Sequence, residues 1–376
     1  MEFITYIFDS IKFFVYIILC ASLYIVFDGY MYKKTEKSKE KIKKHFKEEI
    51  LYELNSIKNH KNLKEYELDS IKNKIKKRKY EEVFNETISE FNAIDDNYKV
   101  TKIYMEYYQD YIKKLIKKFK NSDDIKKVYI VCLLGEYGLD KDYINNFLKR
   151  AINTKSSYLR FAILTSISKI GNKKVFIEIL ESISKTKFNI NEKILIDIMD
   201  NFKSDMNLLD KEILTNFDKF DSKIKSIVVK HFSNTKFKEA SLKLLNILKD
   251  EDENRELRLS ILDYFKNVKF EKAKDTLLLN LKSKEWEFRA LTAKTLKNYN
   301  EEKVIKALLE SITDLNWYVK FNSANSLLSF NLEEEIVQGI YNNEDEGARE
   351  ILSYAMKLKE DESRKFYYEA SLTITN

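Results

Sequence analysis

The side chains able to do acid–base or metal chemistry are few and scattered in this chain of 376 residues. Its 3 histidines are His45, His60 and His231. His45 and His60 lie in a lysine-rich stretch that has no cysteine or carboxylate cluster at metal-ligand spacing, so zinc is not expected there. His231 precedes Phe232 on a predicted helix, and the sequence does not suggest a nucleophile partner for it. We interpret it as a structural residue on the exposed-to-intermediate side of that helix rather than as a general base.

The glycines and cysteines do not form a reactive motif either. The segment from Gly135 to Gly138 is not followed by Lys and Ser or Thr, so it is not a phosphate-binding loop. Gly138 and Gly171 stand where predicted helices should end, and we interpret both as C-caps. Cys20 and Cys132 lie in an apolar run and on a predicted core helix, which suggests neither a disulfide framework nor a metal site. The sequence therefore predicts no catalytic residue, no cofactor and no metal. We expect a protein that is not an enzyme.

The aromatic residues are the most distinctive side chains. The 2 tryptophans, Trp286 and Trp317, stand 31 positions apart, each three residues before a basic residue. A position repeated in register favours packing between helices; the alternative is an exposed aromatic edge, because aromatic residues anchor protein interfaces. With Tyr318 beside them, they are the candidate partner-binding residues. A tyrosine stripe at helical spacing is interpreted as a buried seam: Tyr104, Tyr107, Tyr108 and Tyr111.

Positive charge is concentrated in one part of the chain. The whole sequence has a formal net charge of +7, but residues 33–80 alone hold 17 Lys and Arg against 8 Asp and Glu, a balance of +9. Residues 1–32 carry a net charge of −2, so residues 81–376 are neutral overall. A helical array that binds nucleic acid needs positive charge on the array itself. The sequence therefore predicts no nucleic-acid partner.

An apolar run stands at the start of the sequence. Residues 13–27 carry no charge, and a helix of about 20 apolar residues is long enough to cross a bilayer. We expect a transmembrane anchor over residues 3–31, with a buried core helix or a cleaved signal peptide as the alternatives. Because lysines follow at once, the positive-inside rule places the N-terminus outside and the rest in the cytoplasm. The expected location is the cell membrane, as a single-pass protein.

Residues 33–95 form a basic helical region next to this run. Ile42, Phe46, Ile50 and Leu54 recur at helical spacing and predict an amphipathic helix. One interpretation is a solvated, lysine-rich stalk, and the other is a helix that lies against anionic lipid headgroups. The candidate membrane-surface residues are Lys33, Lys34, Lys37, Lys39, Lys41, Lys43, Lys44 and Lys47.

Residues 96–376 are periodic. A marker position, basic in all but one unit, recurs at steps of 33, 32, 33, 33, 31, 31 and 29 residues. The markers are Lys127, Arg160, Glu192, Lys225, Arg258, Arg289, Lys320 and Arg349. Four and seven residues past each marker, every residue but one is apolar, as on one face of a helix. Two helices per unit cannot bury this face alone, so we expect about eight stacked helix pairs with a C-terminal cap.

The best-conserved units identify the type of repeat. Residues 284–296 and 316–327 share Trp, a basic residue, Ala and Leu at matching positions. This pattern resembles HEAT repeats, and especially the short bacterial repeats also called PBS-lyase-type repeats. The resemblance implies an all-α fold, a right-handed α-solenoid of HEAT-like helix pairs. The usual turn proline is absent, and a turn aspartate matches at Asp252 and Asp314 but not before Arg160 or Arg289.

The expected function follows from this layout. A transmembrane helix, a basic stalk and a HEAT-like array resemble membrane-anchored bacterial HEAT proteins associated with membrane glycosyltransferases. We expect a non-catalytic membrane-anchored scaffold or adaptor that binds a protein partner at the cytoplasmic membrane face. The partner implied by the resemblance is another membrane protein, a glycosyltransferase of polysaccharide synthesis. The alternatives are a HEAT-repeat enzyme of lyase or DNA-repair type and a membrane signal-relay protein.

Overall fold

A computed structural model gives the architecture of two compact units, Met1–Leu148 and Lys149–Asn376. The structure describes residues 21–24, 27, 31, 40, 43–61, 63, 65–94, 97–186, 190–330 and 345–374. In the last helix the side chains are described through Lys359 and at Asp361. The predicted boundary between residues 95 and 96 falls within the first unit and stays a prediction.

All regular structure in the described residues is helical, as predicted. The first unit contains α1 (43–58), α2 (Glu65–Lys74), α3 (Arg78–Asn92), α4 (Tyr98–Met105), α5 (Gln109–Phe119), α6 (Asp124–Tyr137) and most of α7 (Asp142–Ala151). The second contains α8 (Ser157–Ile170), α9 (Lys173–Thr186), α10 (Glu192–Asp200), α11 (Met206–Asn216), α12 (Ser222–Thr235), α13 (Ser241–Lys249), α14 (Arg255–Asn267), α15 (Lys274–Asn280), α16 (Trp286–Thr295), α17 (Glu302–Ser311), α18 (Trp317–Leu328) and α19 (Glu346–Ile374).

The predicted transmembrane anchor over residues 3–31 is corrected by the structure. Among the described residues, no helix is both long enough and apolar enough to cross a membrane, which takes about 20 consecutive apolar residues in one helix. Of residues 3–31, only 21–24, 27 and 31 are described, and the others lie outside the described residues. The single-pass cell-membrane location, with the N-terminus outside and the repeats in the cytoplasm, depended on this helix. It is withdrawn together with the anchor.

The basic region is part of a packed unit where the structure describes it. Phe46, Ile50 and Leu54 are buried on α1, as the amphipathic spacing predicts. Salt bridges join α1 to α3, from Lys43 to Glu86 and from Lys47 to Glu90. The interpretation of this stretch as a solvated stalk is therefore wrong for α1, because its apolar face packs in the core of the first unit.

The tyrosine stripe meets a buried carboxyl group. The hydroxyls of Tyr104 and Tyr108 donate hydrogen bonds of 2.7 and 3.2 Å to Glu53 Oε2, and all three side chains are buried. Burial raises the pKa of Glu53, and the two tyrosine hydrogen bonds only partly oppose this shift. The predicted seam is confirmed at Tyr104 and Tyr108, whereas Tyr107 is exposed.

The second unit is built from helix pairs, as the repeat pattern predicts. The helices that carry the markers pack on one another in order: α10 on α12, α12 on α14, α14 on α16, α16 on α18 and α18 on α19. The intervening helices α13, α15 and α17 each pack on the marker helix that follows. Each apolar face is thus covered by the neighbouring repeats, which is how a solenoid forms a continuous core.

The predicted apolar register holds in most repeats. In the units marked from Lys127 to Lys320, the residues four and seven positions past the marker are buried. Ile196 is the one exception and is half-buried. In the last repeat Leu352 and Ala355 are buried instead of Ser353 and Met356. The buried face of α19 therefore begins one residue earlier than the marker Arg349 predicts.

Two glycines end repeat helices, as predicted. Gly138 caps α6 with φ of +64° and Gly171 caps α8 with φ of +79°. A Cβ at Gly171 would lie 2.7 Å from the carbonyl oxygen of Lys203, so both the dihedral angle and the space require glycine. At the matching end of α12, Lys236 takes the left-handed conformation with φ of 53°.

Candidate functional site

An exposed row of aromatic rings lies along the starts of two neighbouring repeat helices. Trp286 and Trp317 are the first residues of α16 and α18. Asn316 caps α18, and its side chain accepts a hydrogen bond of 2.9 Å from the backbone N–H of Tyr318. A first-turn side chain has no preceding helical turn to pack against, so these rings extend over the edge of the array.

The rings contact one another across the repeats. Trp286 stacks on Tyr318 with ring centroids 5.5 Å apart, and Trp317 meets Tyr318 edge-on at 5.2 Å. Trp317 also stacks on Phe321 at 4.9 Å and lies 6.2 Å from Tyr354. We call these five residues the aromatic ladder. Aromatic pairs in such geometries hold each other in place, so the ladder is a preorganised surface.

The aromatic ladder is only partly buried. The exposed fractions are 39% for Trp286, 48% for Trp317, 56% for Tyr318 and 47% for Tyr354. Beside it lies a cavity of about 410 Å³ lined by Leu315, Trp317, Lys320, Gly347, Glu350, Ile351 and Tyr354. Grouped exposed apolar rings mark interaction sites far more often than isolated ones do.

A half-buried ion pair joins the two helices that carry the tryptophans. Arg289 on α16 donates two hydrogen bonds, of 2.7 and 3.0 Å, to the carboxylate of Asp314 just before α18. Burial alone would raise the pKa of Asp314, but the hydrogen bonds and charge of Arg289 outweigh it and lower that pKa. The partner of the marker arginine is therefore the aspartate that follows it rather than one before it. Asp314 is one of the two turn aspartates that match the repeat pattern.

Basic residues on α14 and α18 are already paired. Arg255 lies 2.6 Å from Glu285 and 2.9 Å from Glu287, and Lys320 lies 3.6 Å from Asp345. Such pairs leave less positive charge for binding phosphate groups. Basic residues around the aromatic ladder are thus paired with carboxylates.

The predicted partner-binding residues Trp286, Trp317 and Tyr318 come together on this one surface. Sequence reasoning missed Phe321 and Tyr354. Phe321 directly follows the marker Lys320, so its place in the repeat could have indicated it. Tyr354 could not be found in that way, because the buried face of α19 is displaced by one residue.

The candidate membrane-surface lysines are spread over described and undescribed residues. Lys33, Lys34, Lys37, Lys39 and Lys41 lie outside the described residues. Lys44 is exposed on α1, and Lys43 and Lys47 form the salt bridges to α3 given above.

Sequence reasoning also missed a buried charge cluster at His231. This residue was expected near the surface, yet its side chain is fully buried on α12. Its Nδ1 lies 2.5 Å from Asp200 on α10, and its Nε2 lies 2.8 Å from Asp210 on α11. Burial alone would lower the pKa of His231, but the hydrogen bonds and charges of both carboxylates raise it above its usual value. The His231 side chain thus joins three helices.

Neither nitrogen of His231 is available to a substrate, because each faces a carboxylate. Among the described residues, no group of three or more His, Cys, Asp or Glu side chains is arranged to hold a metal ion. The described structure therefore gives its clearest functional indication at the aromatic ladder.

Comparison with known proteins agrees with the repeat pattern. Residues 241–328 match the family described as HEAT repeats, and this segment runs from α13 through α18 and contains both tryptophans. No curated protein matches the chain. A solved structure of human deoxyhypusine hydroxylase in complex with glycerol is similar at 13% identity and a TM-score of 0.28, covering 70% of this chain and 98% of that one. The match over residues 241–328 supports a HEAT-like repeat family for this chain.

Proposed function

We propose that this protein is a non-catalytic scaffold whose helical repeats bind a protein partner through the aromatic ladder. The observation that carries the proposal is that both tryptophans of the chain lie, partly exposed, on one preorganised surface. Tryptophan and tyrosine are the residues most enriched at binding hot spots. HEAT-like repeats also suit such a role, since stacked repeats offer extended surfaces.

The side chains around the ladder favour a protein over a nucleic acid. Single-stranded nucleic acid also stacks on aromatic rings, but its binding needs a positively charged groove that follows the phosphates. Arg255, Arg289 and Lys320 are each paired with a carboxylate. An aromatic surface whose neighbouring basic residues are paired with carboxylates fits the apolar centre of a protein interface.

Two earlier expectations about function concern a specific partner and an enzymatic activity. The glycosyltransferase of polysaccharide synthesis implied by the resemblance stays a prediction that no observation here tests. The enzymatic alternative is less favoured, because His231 is enclosed by Asp200 and Asp210 and the ladder contains no acid–base pair.

Photo-crosslinking tests the proposal. A photo-reactive phenylalanine analogue at position 318 should capture a discrete protein partner. The same analogue at position 158 is the matched control, because Tyr158 is also exposed in the first turn of a marker helix. Substituting Trp317→Ala should abolish capture at position 318 while the circular dichroism spectrum stays helical. Equal capture at both positions, or capture that survives Trp317→Ala, would refute the aromatic ladder as the binding surface.

A further inference from the structure

The hydrogen-bonding groups of the aromatic ladder are mostly donors without partners. Among the described residues, the indole N–H groups of Trp286 and Trp317 and the hydroxyl of Tyr318 make no hydrogen bond. An indole offers only a donor, and no acceptor. The ladder therefore suits a ligand whose exposed polar groups are chiefly carbonyl oxygens.

Such a ligand is a proline-rich segment in the polyproline II conformation. Proline has no backbone N–H, so this helix presents carbonyl acceptors and flat apolar rings. A β-strand, by contrast, needs a partner edge that both donates and accepts in alternation. The ladder has ring faces and N–H donors but no sheet edge.

The spacing expected for the two tryptophans from helix packing fits the same ligand. They occupy equivalent positions on the packed helices α16 and α18, and packed helices lie about 8–10 Å apart. One turn of polyproline II spans three residues of about 3.1 Å each, or about 9 Å. Equivalent side chains on a β-strand recur at about 7 Å, which is too short for this spacing.

A free carboxylate gives the binding surface a direction. Glu350 is exposed and lines the cavity beside Trp317 and Tyr354, and it makes no ion pair among the described residues. A basic residue at one end of the ligand would place its charge there. The chain itself contains 0 prolines, so neither this chain nor a second copy can supply the ligand.

We propose, on the basis of the proposed function, that the aromatic ladder binds a proline-rich segment of its protein partner that carries a basic residue at one end. The proline rings pack on the exposed surfaces of Trp286, Tyr318 and Trp317. The indole N–H groups donate to the carbonyl oxygens of the segment, and Glu350 pairs with its basic end.

Intrinsic fluorescence tests this proposal without a label, because both tryptophans of the chain lie in the ladder. The full chain is titrated with decaproline and with decaproline that ends in arginine. Both peptides should shift the tryptophan emission to shorter wavelength, and the arginine peptide should bind more tightly. No spectral change with either peptide at millimolar concentration would overturn the proposal.

Variants separate the parts of the surface. With fluorescein-labelled peptides and anisotropy detection, Trp317→Ala should weaken binding by about 30-fold, the factor that marks a hot spot. Tyr158→Ala should change it less than twofold. Glu350→Gln should remove the preference for the arginine peptide and leave decaproline binding unchanged. Equal weakening in Trp317→Ala and Tyr158→Ala would overturn the proposal, and so would a preference that survives Glu350→Gln.

Competing ligands separate this proposal from the proposed function. An amphipathic helical peptide or a single-stranded oligothymidine that binds the ladder more tightly than either proline peptide would overturn the proline-rich partner. A partner crosslinked at position 318 through a proline-free segment would also overturn it, and the scaffold would then stand without it. Failure of crosslinking at position 318 would remove the scaffold function itself.

Discussion

Replacing His231 should destabilise the second unit strongly and change how its stability depends on pH. The His231→Ala substitution leaves Asp210, which is 2% exposed, without the charge that compensates it. Removing one partner of a buried ion pair costs about 3–5 kcal/mol. Asp200 contributes less, because it is partly exposed and keeps a hydrogen bond of 2.8 Å from Asn234. We therefore expect a loss of about 3–5 kcal/mol in the free energy of unfolding at pH 6.

The sign of the pH dependence follows from the raised pKa of His231. A histidine in the unfolded chain titrates near pH 6.5, so the contribution of His231 is complete below about pH 6.5. It is lost as the pH rises through the higher pKa of the folded state. The difference between the original protein and His231→Ala should therefore shrink from pH 6 to pH 9.

Urea denaturation followed by circular dichroism at both pH values measures this difference, and hydrogen exchange over α10 to α12 localises it. The matched control is His45→Ala, because that side chain is 81% exposed; its effect should stay below about 0.5 kcal/mol. A nuclear magnetic resonance titration of His231 that gives a pKa at or below 6.5 would refute the reasoning. A difference in stability between the original protein and His231→Ala that grows from pH 6 to pH 9 would also refute it.

Three further substitutions test other parts of the structure. Burial raises the pKa of Glu53, so its ionised form lowers the stability of the fold above about pH 4.3, the usual pKa in an unfolded chain. Glu53→Gln should therefore raise the Tm at pH 7 but not at pH 4. An unchanged Tm at pH 7 would contradict this prediction. Gly171→Ala should lower the free energy of unfolding by more than about 1 kcal/mol, because the new Cβ would lie 2.7 Å from the oxygen of Lys203; urea denaturation measures this, and an unchanged midpoint would contradict it. Arg289→Ala should lower the free energy of unfolding by about 2 kcal/mol, because it removes the charge-assisted hydrogen bonds to Asp314. Urea denaturation followed by tryptophan emission measures this, and an unchanged midpoint would show that the pair does not stabilise the fold.

The sequence predicts the amphipathic helices well because their apolar faces depend only on local spacing. Phe46, Ile50 and Leu54 show this on α1, and the two glycine caps show it at helix ends. The predicted transmembrane anchor over residues 3–31 was wrong, because no helix among the described residues is both long enough and apolar enough to cross a membrane.

The candidate site was predicted only in part. Trp286 and Trp317 repeat in register, so the sequence could place them on neighbouring helices but could not decide how exposed they are. Tyr354 joins them only because α19 is displaced by one residue from the repeat register. The cluster around His231 was missed because Asp200 and Asp210 approach it from two other helices, and their approach depends on packing between repeats.

If a protein partner covers the aromatic ladder, it should shield both tryptophans from solvent, and acrylamide quenching of tryptophan fluorescence measures this. Because both tryptophans lie in the ladder, the whole signal comes from the proposed binding surface. The partner is the protein captured at position 318. It is purified, any tryptophans in it are replaced, and it is added to saturation. We expect the emission to shift to shorter wavelength and the quenching constant to fall. Unchanged emission and quenching in a fully formed complex would show that the partner does not bind this surface.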